Sequence, residues 1–382
     1  MLKLTWPEAA RWRSGRHYLG RRAPAGSLLA VASRLCGLHA QLMSSAELAA
    51  WARVDGLARN EVQGALWEHR TLVKTWAMRG TLHLLPSSEL RTWYAALSTC
   101  RHFLRPAVWK RAYGLTIEDL DRLTDAVSQA LAGCLMTREE LAAAVERLTG
   151  SAAFGVKVGQ SSWGTTLRPA AFSGRLCFGP SLGQRVRFTG PESWLASNAQ
   201  APGPPVTVPS ATAEVARRFL SGYGPATVQD LARWWGGGGV GTARQWVESL
   251  GDEVCPVDVE GSRGWLLATH AAEARDSSSA RMVRLLPAFD PYVVAASAHA
   301  ERLLPGDWRS RVYRPQGWIS PVLLVDGRMQ GTWSHQVKGS RVEVAIDPFV
   351  PVPRWVDRAA GEEAERLAAF LGGKLQFSRK SG

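Results

Sequence analysis

The sequence has neither the spacing of a disulfide framework nor the ligand sets of the common metal sites. Its 382 residues include five cysteines, Cys36, Cys100, Cys134, Cys177 and Cys255, odd in number and far apart; no paired framework and no Cys-x-x-Cys metal knuckle follows from them. A His-Glu-x-x-His pair is missing, as is a four-cysteine cluster, which leaves no zinc or iron–sulfur signature. No metal and no cofactor is expected. A phosphate loop ending in Gly-Lys-Ser/Thr is also lacking, which removes support for a nucleotide hydrolase. Gly236-Gly-Gly238-Gly-Val-Gly241 has dinucleotide-binding spacing, yet the helix-like stretch 230–235 precedes it where that motif requires a strand. It reads instead as the turn of a helix-turn-helix. The N-terminal stretch holds no apolar segment of signal-peptide length, and no run nears membrane-spanning length. A cytoplasmic, nucleoid-associated protein without membrane contact is expected.

Lysine is scarce, but positive charge is not. The 46 Lys and Arg, mostly Arg, oppose 33 Asp and Glu, for a formal net charge of +13. A coding bias toward Arg explains the choice of residue but not the excess. A surplus of this size suits a polyanion such as nucleic acid. The length leaves room for two to four domains of roughly 100–150 residues.

Three segments share one pattern: Ser44-Ser-Ala-Glu47-Leu48, Thr137-Arg-Glu-Glu140-Leu141 and Thr227-Val-Gln-Asp230-Leu231. Each puts a Ser or Thr N-cap three residues before an acid, with an apolar run following, which is a helix start. Each follows an apolar-periodic helix, at 28–38, 117–131 and 211–220. Two helices joined by a short turn, then a third, make a helix-turn-helix core. Behind each core lies a strand-like pair: 72–85 around Arg79-Gly80, 175–178 with 185–188, and 254–259 with 264–269 across Glu260-Gly261. The unit of helices with a two-stranded wing thus recurs three times. Pro202-Gly-Pro-Pro205-Val-Thr-Val-Pro209 reads as a linker, and Asp276-Ser-Ser-Ser279 as a second break. Beyond it, 282–286, 318–325, 328–333 and 341–346 are strand-like, with Asp326-Gly327 as a hairpin turn, and an amphipathic helix at 362–371 covers them. The expected fold is α+β: winged helices at 1–110, 111–200 and 208–275, then a β-barrel with a closing helix at 280–375.

His39-Ala40-Gln41 stands at the junction between the first two helices of the first unit. An imidazole and a carboxamide two residues apart can hold and polarise one water molecule. Read alone, the pair is better explained as satisfying the end of one helix and the start of the next.

Five blocks carry a family likeness: Arg34-Leu-Cys-Gly-Leu-His39-Ala-Gln41, Trp51-Ala-Arg53, Thr75-Trp-Ala-Met-Arg79-Gly-Thr-Leu-His83-Leu, Leu285-Leu-Pro-Ala-Phe-Asp290-Pro-Tyr and Val325-Asp-Gly-Arg-Met-Gln-Gly-Thr-Trp333. Together, and in this order, they resemble the AlkZ/YcaQ-like DNA glycosylases over about 27–371. The resemblance implies a C-shaped protein of tandem winged helices and a β-barrel around a basic channel for double-stranded DNA. It implies monofunctional excision of alkylated purines, notably N7-alkylguanine, bulky adducts and crosslinks included. It also implies His39 and Gln41 as the catalytic pair. Family members carry Gln-x-Gln or Gln-x-Asp at this motif, and this chain has His39 in the first position. His-x-Gln members are associated with self-resistance to large guanine-alkylating antibiotics, which makes a bulky N7-guanine adduct the expected substrate.

Within that frame Lys74, Arg79, Thr81 and His83 of the first wing are candidate DNA contacts, with Arg79 equally able to pair inside the fold. Arg311, Arg314, Lys338 and Arg341 are candidates for lining the channel from the barrel side. Asp290, ahead of Pro291, is expected to cap a turn rather than to catalyse. A monomer is expected, because the repeats supply a DNA-embracing surface within one chain. The competing reading is a non-enzymatic winged-helix DNA binder or transcription regulator. No dimerisation helix supports it, and the scarcity of lysine speaks against a lyase-type glycosylase.

Overall fold

Several helix starts in this chain are set by local capping chemistry, among them those at Thr5, Thr116, Thr137 and Asp290. The computed structural model describes residues 1–100, 106–161, 164–196, 205–275, 281–304 and 306–380; the expected break at 276–279 and the first part of the expected linker, 202–204, lie outside them. Strand β1 (Leu2–Leu4) leads into the helix Trp6–Arg16, opened by a Thr5/Glu8 capping box. The helices Leu28–Arg34 and Met43–Trp51 flank the two-residue strand β2 (Leu38–His39). The helix Glu61–Trp67 precedes β3 (Leu72–Trp76) and β4 (Leu82–Pro86). The second repeat runs helix Ile117–Ala130, β5 (Met136–Thr137), helices Arg138–Thr149, Ala152–Gly159 and Arg168–Phe172, then β6 (Cys177–Leu182) and β7 (Arg185–Thr189). The third runs helices Val208–Tyr223, Val228–Trp235 and Gly239–Glu248, then β8 (Val254–Val259) and β9 (Ser262–Leu267).

Two of the three expected capping boxes form. The Thr137 amide donates to Glu140 Oε2 at 2.7 Å while the Glu140 amide donates to Thr137 Oγ1 at 3.3 Å. Thr227 and Asp230 exchange the same pair at 2.9 and 3.1 Å. Ser44 does not cap. Its helix starts one residue earlier, at Met43, because Leu42 still carries the extended backbone of the preceding segment and takes the N-cap position without a side-chain bond. The glycine run is a turn between two helices, as expected. Gly236 has φ 80°, and a Cβ there would stand 2.7 Å from the Arg79 Cα, so the position needs glycine on both counts.

The chain forms two compact units, each discontinuous in sequence: 1–62, 217–231 and 250–382 make the first, and 63–216 with 232–249 make the second. The second repeat lies wholly inside the second unit. There β5 pairs with β7 and β7 with β6, all antiparallel, over a core that includes Trp76, Leu120, Leu123, Val127, Leu141, Val145, Phe178 and Phe188. Strands β3 and β4 of the same unit form an antiparallel hairpin whose tip turns through Arg79 and Gly80, both left-handed.

In the first unit β1 adds in parallel to β8, beside the β8–β9 hairpin, and Leu2, Leu4 and Trp6 pack with Val257, Val259 and Leu266. The C-terminal strands are β10 (Val283–Leu286), β11 (Val322–Val325), β12 (Arg328–Lys338), β13 (Arg341–Pro348) and β14 (Lys374–Arg379). Asp326 and Gly327 make the expected β11–β12 turn, both at positive φ. The expected barrel is corrected here to an open sheet. Closure requires the last strand to bond to the first, whereas among the described residues the order is β10-β11-β12-β13-β14, and β14 pairs in parallel with β13. The helix Arg354–Leu371, longer than the expected 362–371, makes that parallel return possible. It packs on β10, β13 and β14 through a face that includes Val356, Ala360, Ala364 and Leu367.

A buried polar contact also ties the start of the helix Val228–Trp235 to the C-terminal part of the first unit. The Asp230 carboxylate lies 2.9 Å from His299 Nε2 and accepts from Thr227 Oγ1 at 2.8 Å. Burial pushes its pKa up, but the His299 and Thr227 contacts outweigh that and hold it at about 2, below the ordinary 3.8. A carboxyl lowered by folding stabilises the fold above its unfolded pKa, and that contribution, about 2 kcal/mol, is lost as pH falls from about 4 through about 2. Asp230→Asn is therefore expected to be less stable near neutrality and to show a flatter acid limb between pH 5 and 2, read by urea denaturation across that range.

Candidate active site

The helix Leu28–Arg34 ends in a left-handed turn at Cys36 and Gly37, with φ of 58° and 103°. The Gly37 amide donates to Ala32 O at 2.8 Å, which reverses the chain into β2. The Tyr223 hydroxyl takes the Leu35 carbonyl at 2.7 Å. After the turn Leu38, His39 and Ala40 are buried, Gln41 is half-buried and Leu42 is exposed. His39 and Gln41 therefore stand where the chain passes from core to surface. Side-chain capping does not occupy them at the helix that follows, whose N-cap is Leu42.

A second segment fixes the imidazole. His39 is 6% exposed and lies nearly parallel to the Phe289 ring, with centroids 5.2 Å apart and an interplanar angle of 13°. Phe289 itself has φ 57°, a left-handed conformation that costs a bulky residue about 1–3 kcal/mol. Its neighbour supplies the restraint. Arg53 Nη1 and Nη2 donate to the two Asp290 oxygens, each at 2.7 Å, and both side chains are fully buried. The Tyr292 amide donates to Asp290 Oδ1 at 2.9 Å, which caps the helix Pro291–Ala296, and Arg53 Nη1 also reaches Ala49 O at 2.9 Å. Asp290 thus caps, as expected, and has a buried partner besides. In the same unit Trp333 Nε1 donates to Leu286 O at 2.7 Å and the Tyr292 hydroxyl to Gly327 O at 2.8 Å. The motif blocks around Arg53, Asp290 and Trp333 are mutually bonded supports for the segment that faces His39.

The remaining candidates fall into three places. In the second unit Lys74 lies 5.4 Å from the Phe178 ring centre, and burial pushes its ammonium pKa down. Arg79, at the hairpin tip, donates to the Trp234 carbonyl at the end of the helix Val228–Trp235. Thr81 Oγ1 donates to Met78 O at 3.1 Å, and buried His83 places Nδ1 3.0 Å from Thr81 O. In the first unit Arg311 and Arg314 meet around one cavity of about 400 Å³ with Ser320, Trp333, Asp347 and Lys380 among its walls. Arg311 is bonded there to Asp347 at 2.7 Å. Lys338 and Arg341 are paired across the far end of the β12–β13 hairpin, where Lys338 also meets Glu343 at 2.7 Å. These last two are exposed, and an exposed ion pair of this kind leaves the cations available to a phosphate at little cost.

A family model described as DNA glycosylase AlkZ-like matches residues 32–370. The chain belongs to the AlkZ-like DNA glycosylase family. Two further likenesses cover nearly all of it. The interstrand DNA cross-link repair glycosylase of Streptomyces sahachiroi is 35% identical over 378 residues, 97% of this chain and 98% of the relative. The solved structure of the Streptomyces sahachiroi DNA glycosylase AlkZ superimposes with a TM-score of 0.88 at 34% identity, covering 99% of this chain and all of that one. This AlkZ-like protein is accordingly an enzyme that hydrolyses N-glycosidic bonds in DNA, and the reading as a non-enzymatic regulator is set aside. None of its helices, among the described residues, is long and apolar enough to cross a membrane. The stack of Phe289 on His39 and the ion pair of Arg53 with Asp290 are not legible in the sequence. The Phe-Asp-Pro turn was visible, but nothing local says which ring or cation a turn will meet.

Proposed function

We propose that the chain is a monofunctional glycosylase for N7-alkylguanine in double-stranded DNA, with bulky natural-product adducts as its lesions, acting as a monomer in repair or antibiotic self-resistance. The observation that carries this reading is the imidazole of His39, buried and held flat on Phe289, two residues from half-buried Gln41. Residues two apart on extended backbone face the same way, so both groups can bear on one water.

Alkylation at N7 already makes the base cationic. It leaves with the C1′–N9 electron pair as a neutral molecule, without prior protonation. What the enzyme must supply is a water on the opposite face of the sugar and a fixed dipole for the charge developing at C1′. The Gln41 amide oxygen accepts a hydrogen bond from that water, and neutral His39 orients it and takes its proton as the new C1′–O bond forms. The carboxylate beside Phe289 takes no part, because Asp290 is committed to Arg53. With no carboxylate in the His-x-Gln motif itself, the site suits labile, cationic lesions better than stable ones.

Three features support the finer parts of the reading. The net charge of +13 suits a phosphate track. The helices of the second repeat, followed by a hairpin whose β7 also pairs with β5, support reading it as a winged helix, and the first and third repeats are proposed to be winged helices too. A relative named for cross-link repair favours lesions too large for a small base pocket.

The test is incubation with duplexes carrying N7-methylguanine or a bulky N7-guanine adduct, with mass-spectrometric detection of the free base against an enzyme-free control. Release of the intact modified base, an abasic site and no borohydride-trapped complex are expected. Protein that binds both duplexes and releases neither base, or that leaves a trapped covalent complex, contradicts the proposal.

A further inference from the structure

Among the described tryptophans only Trp318 is exposed, at 42%. A lone apolar ring on a surface is ordinary, and its neighbours are what make this one informative. Trp318 meets Phe289 edge-on, with centroids 5.0 Å apart at 73°, and Phe289 also makes the flat stack on His39. Three rings run in contact from the buried imidazole to solvent.

The loop that carries Trp318 is closed by short-range bonds. Tyr313 and Ile319 form a bridge, the Arg314 amide donates to Trp318 O at 2.8 Å, and the Ser320 amide donates to Val312 O at 2.9 Å. Phe289 joins it through its amide to Ile319 O at 3.4 Å. The exposed ring is thus set on a braced turn beside the site, and exposed Arg314 stands at the base of the same turn. A fixed aromatic face next to a cation is the arrangement that holds an unstacked nucleotide, ring on ring and cation on phosphate.

We propose that Trp318 is a stacking platform for a planar ring of the damaged nucleotide, with Arg314 on the adjoining phosphate. It lies at the solvent end of the ladder that starts at His39, and this rests on the reading of His39 and Gln41 as the reacting centre. The ring that stacks is either the modified guanine or a fused aromatic system of its adduct. Stacking of this kind acts on substrate binding and not on the chemical step.

Single-turnover excision across a range of protein concentrations separates the two. Wild type, Trp318→Ala and Trp318→Phe are compared on an N7-methylguanine duplex and on one bearing a fused-ring N7-guanine adduct, with thermal unfolding as a check on the fold. Trp318→Ala is expected to raise the half-saturating protein concentration about tenfold at an unchanged maximal rate, and Trp318→Phe to restore most of it. Loss on both duplexes places the stack on the base; loss on the fused-ring duplex alone places it on the adduct. Half-saturation unchanged on both, a loss that Trp318→Phe shares in full, or a fall in maximal rate alone overturns the proposal. Arg314→Gln is expected to weaken binding to both duplexes with a flatter salt dependence; unchanged salt dependence overturns the phosphate contact. A wild type that binds without releasing base overturns the reading of the centre itself, and the platform with it.

Discussion

Asp290→Ala is expected to lower folding stability by about 3–5 kcal/mol, because it strands a fully buried guanidinium without its counter-ion. Arg53 has no exposed surface to retreat to. The same change removes the cap on the helix Pro291–Ala296, whose loss adds to the cost. Arg53→Met should be similarly damaging, and for the mirrored reason: it leaves a buried carboxylate. The double variant Arg53→Met/Asp290→Leu is expected to recover part of the loss, since neither charge then stays unpaired. Urea unfolding of the two single variants and the double variant measures this. Single variants that melt like the wild type would mean that the pair contributes nothing to holding the segment under His39.

The second large effect is on rate. Gln41→Ala is expected to slow single-turnover excision about 100- to 1,000-fold, the usual result of deleting one preorganised dipole from a site that stabilises developing charge, equivalent to about 3–4 kcal/mol of barrier. Affinity for lesion DNA should stay at the wild-type value, since the loss falls on the transition state. His39→Gln restores the residue more usual at that position among members of the resembled family. It is expected to keep measurable excision while altering which adducts are cut fastest. Loss of DNA binding in step with rate, in either variant, would make the junction a structural element instead.

Legibility in the sequence followed the range of the interaction. The boxes at Thr137 and Thr227 bond residues three apart, and the Asp326-Gly327 turn depends on two backbone angles; such features can be read off neighbouring letters. Ser44 shows the limit. Its residue type favours a cap, but the extended run that places His39 carries through to Leu42 and claims the position. Sheet closure was beyond local reading, because β14 reaches β13 only after an intervening helix, and β1 finds its partner in β8, far from it in sequence. The site divides in the same way. His39 and Gln41 are one motif, whereas the ring under His39 and the ion pair behind that ring come from segments far apart in sequence.

The most direct measurement is the amount of free N7-alkylguanine base released from a duplex in one turnover by the wild type and by the His39→Ala/Gln41→Ala double variant, with DNA occupancy measured in the same samples. Rapid release by the wild type, and release at the uncatalysed rate by a fully bound double variant, are the predicted results. Equal release by the two proteins at equal occupancy would contradict the assignment of the water to this junction.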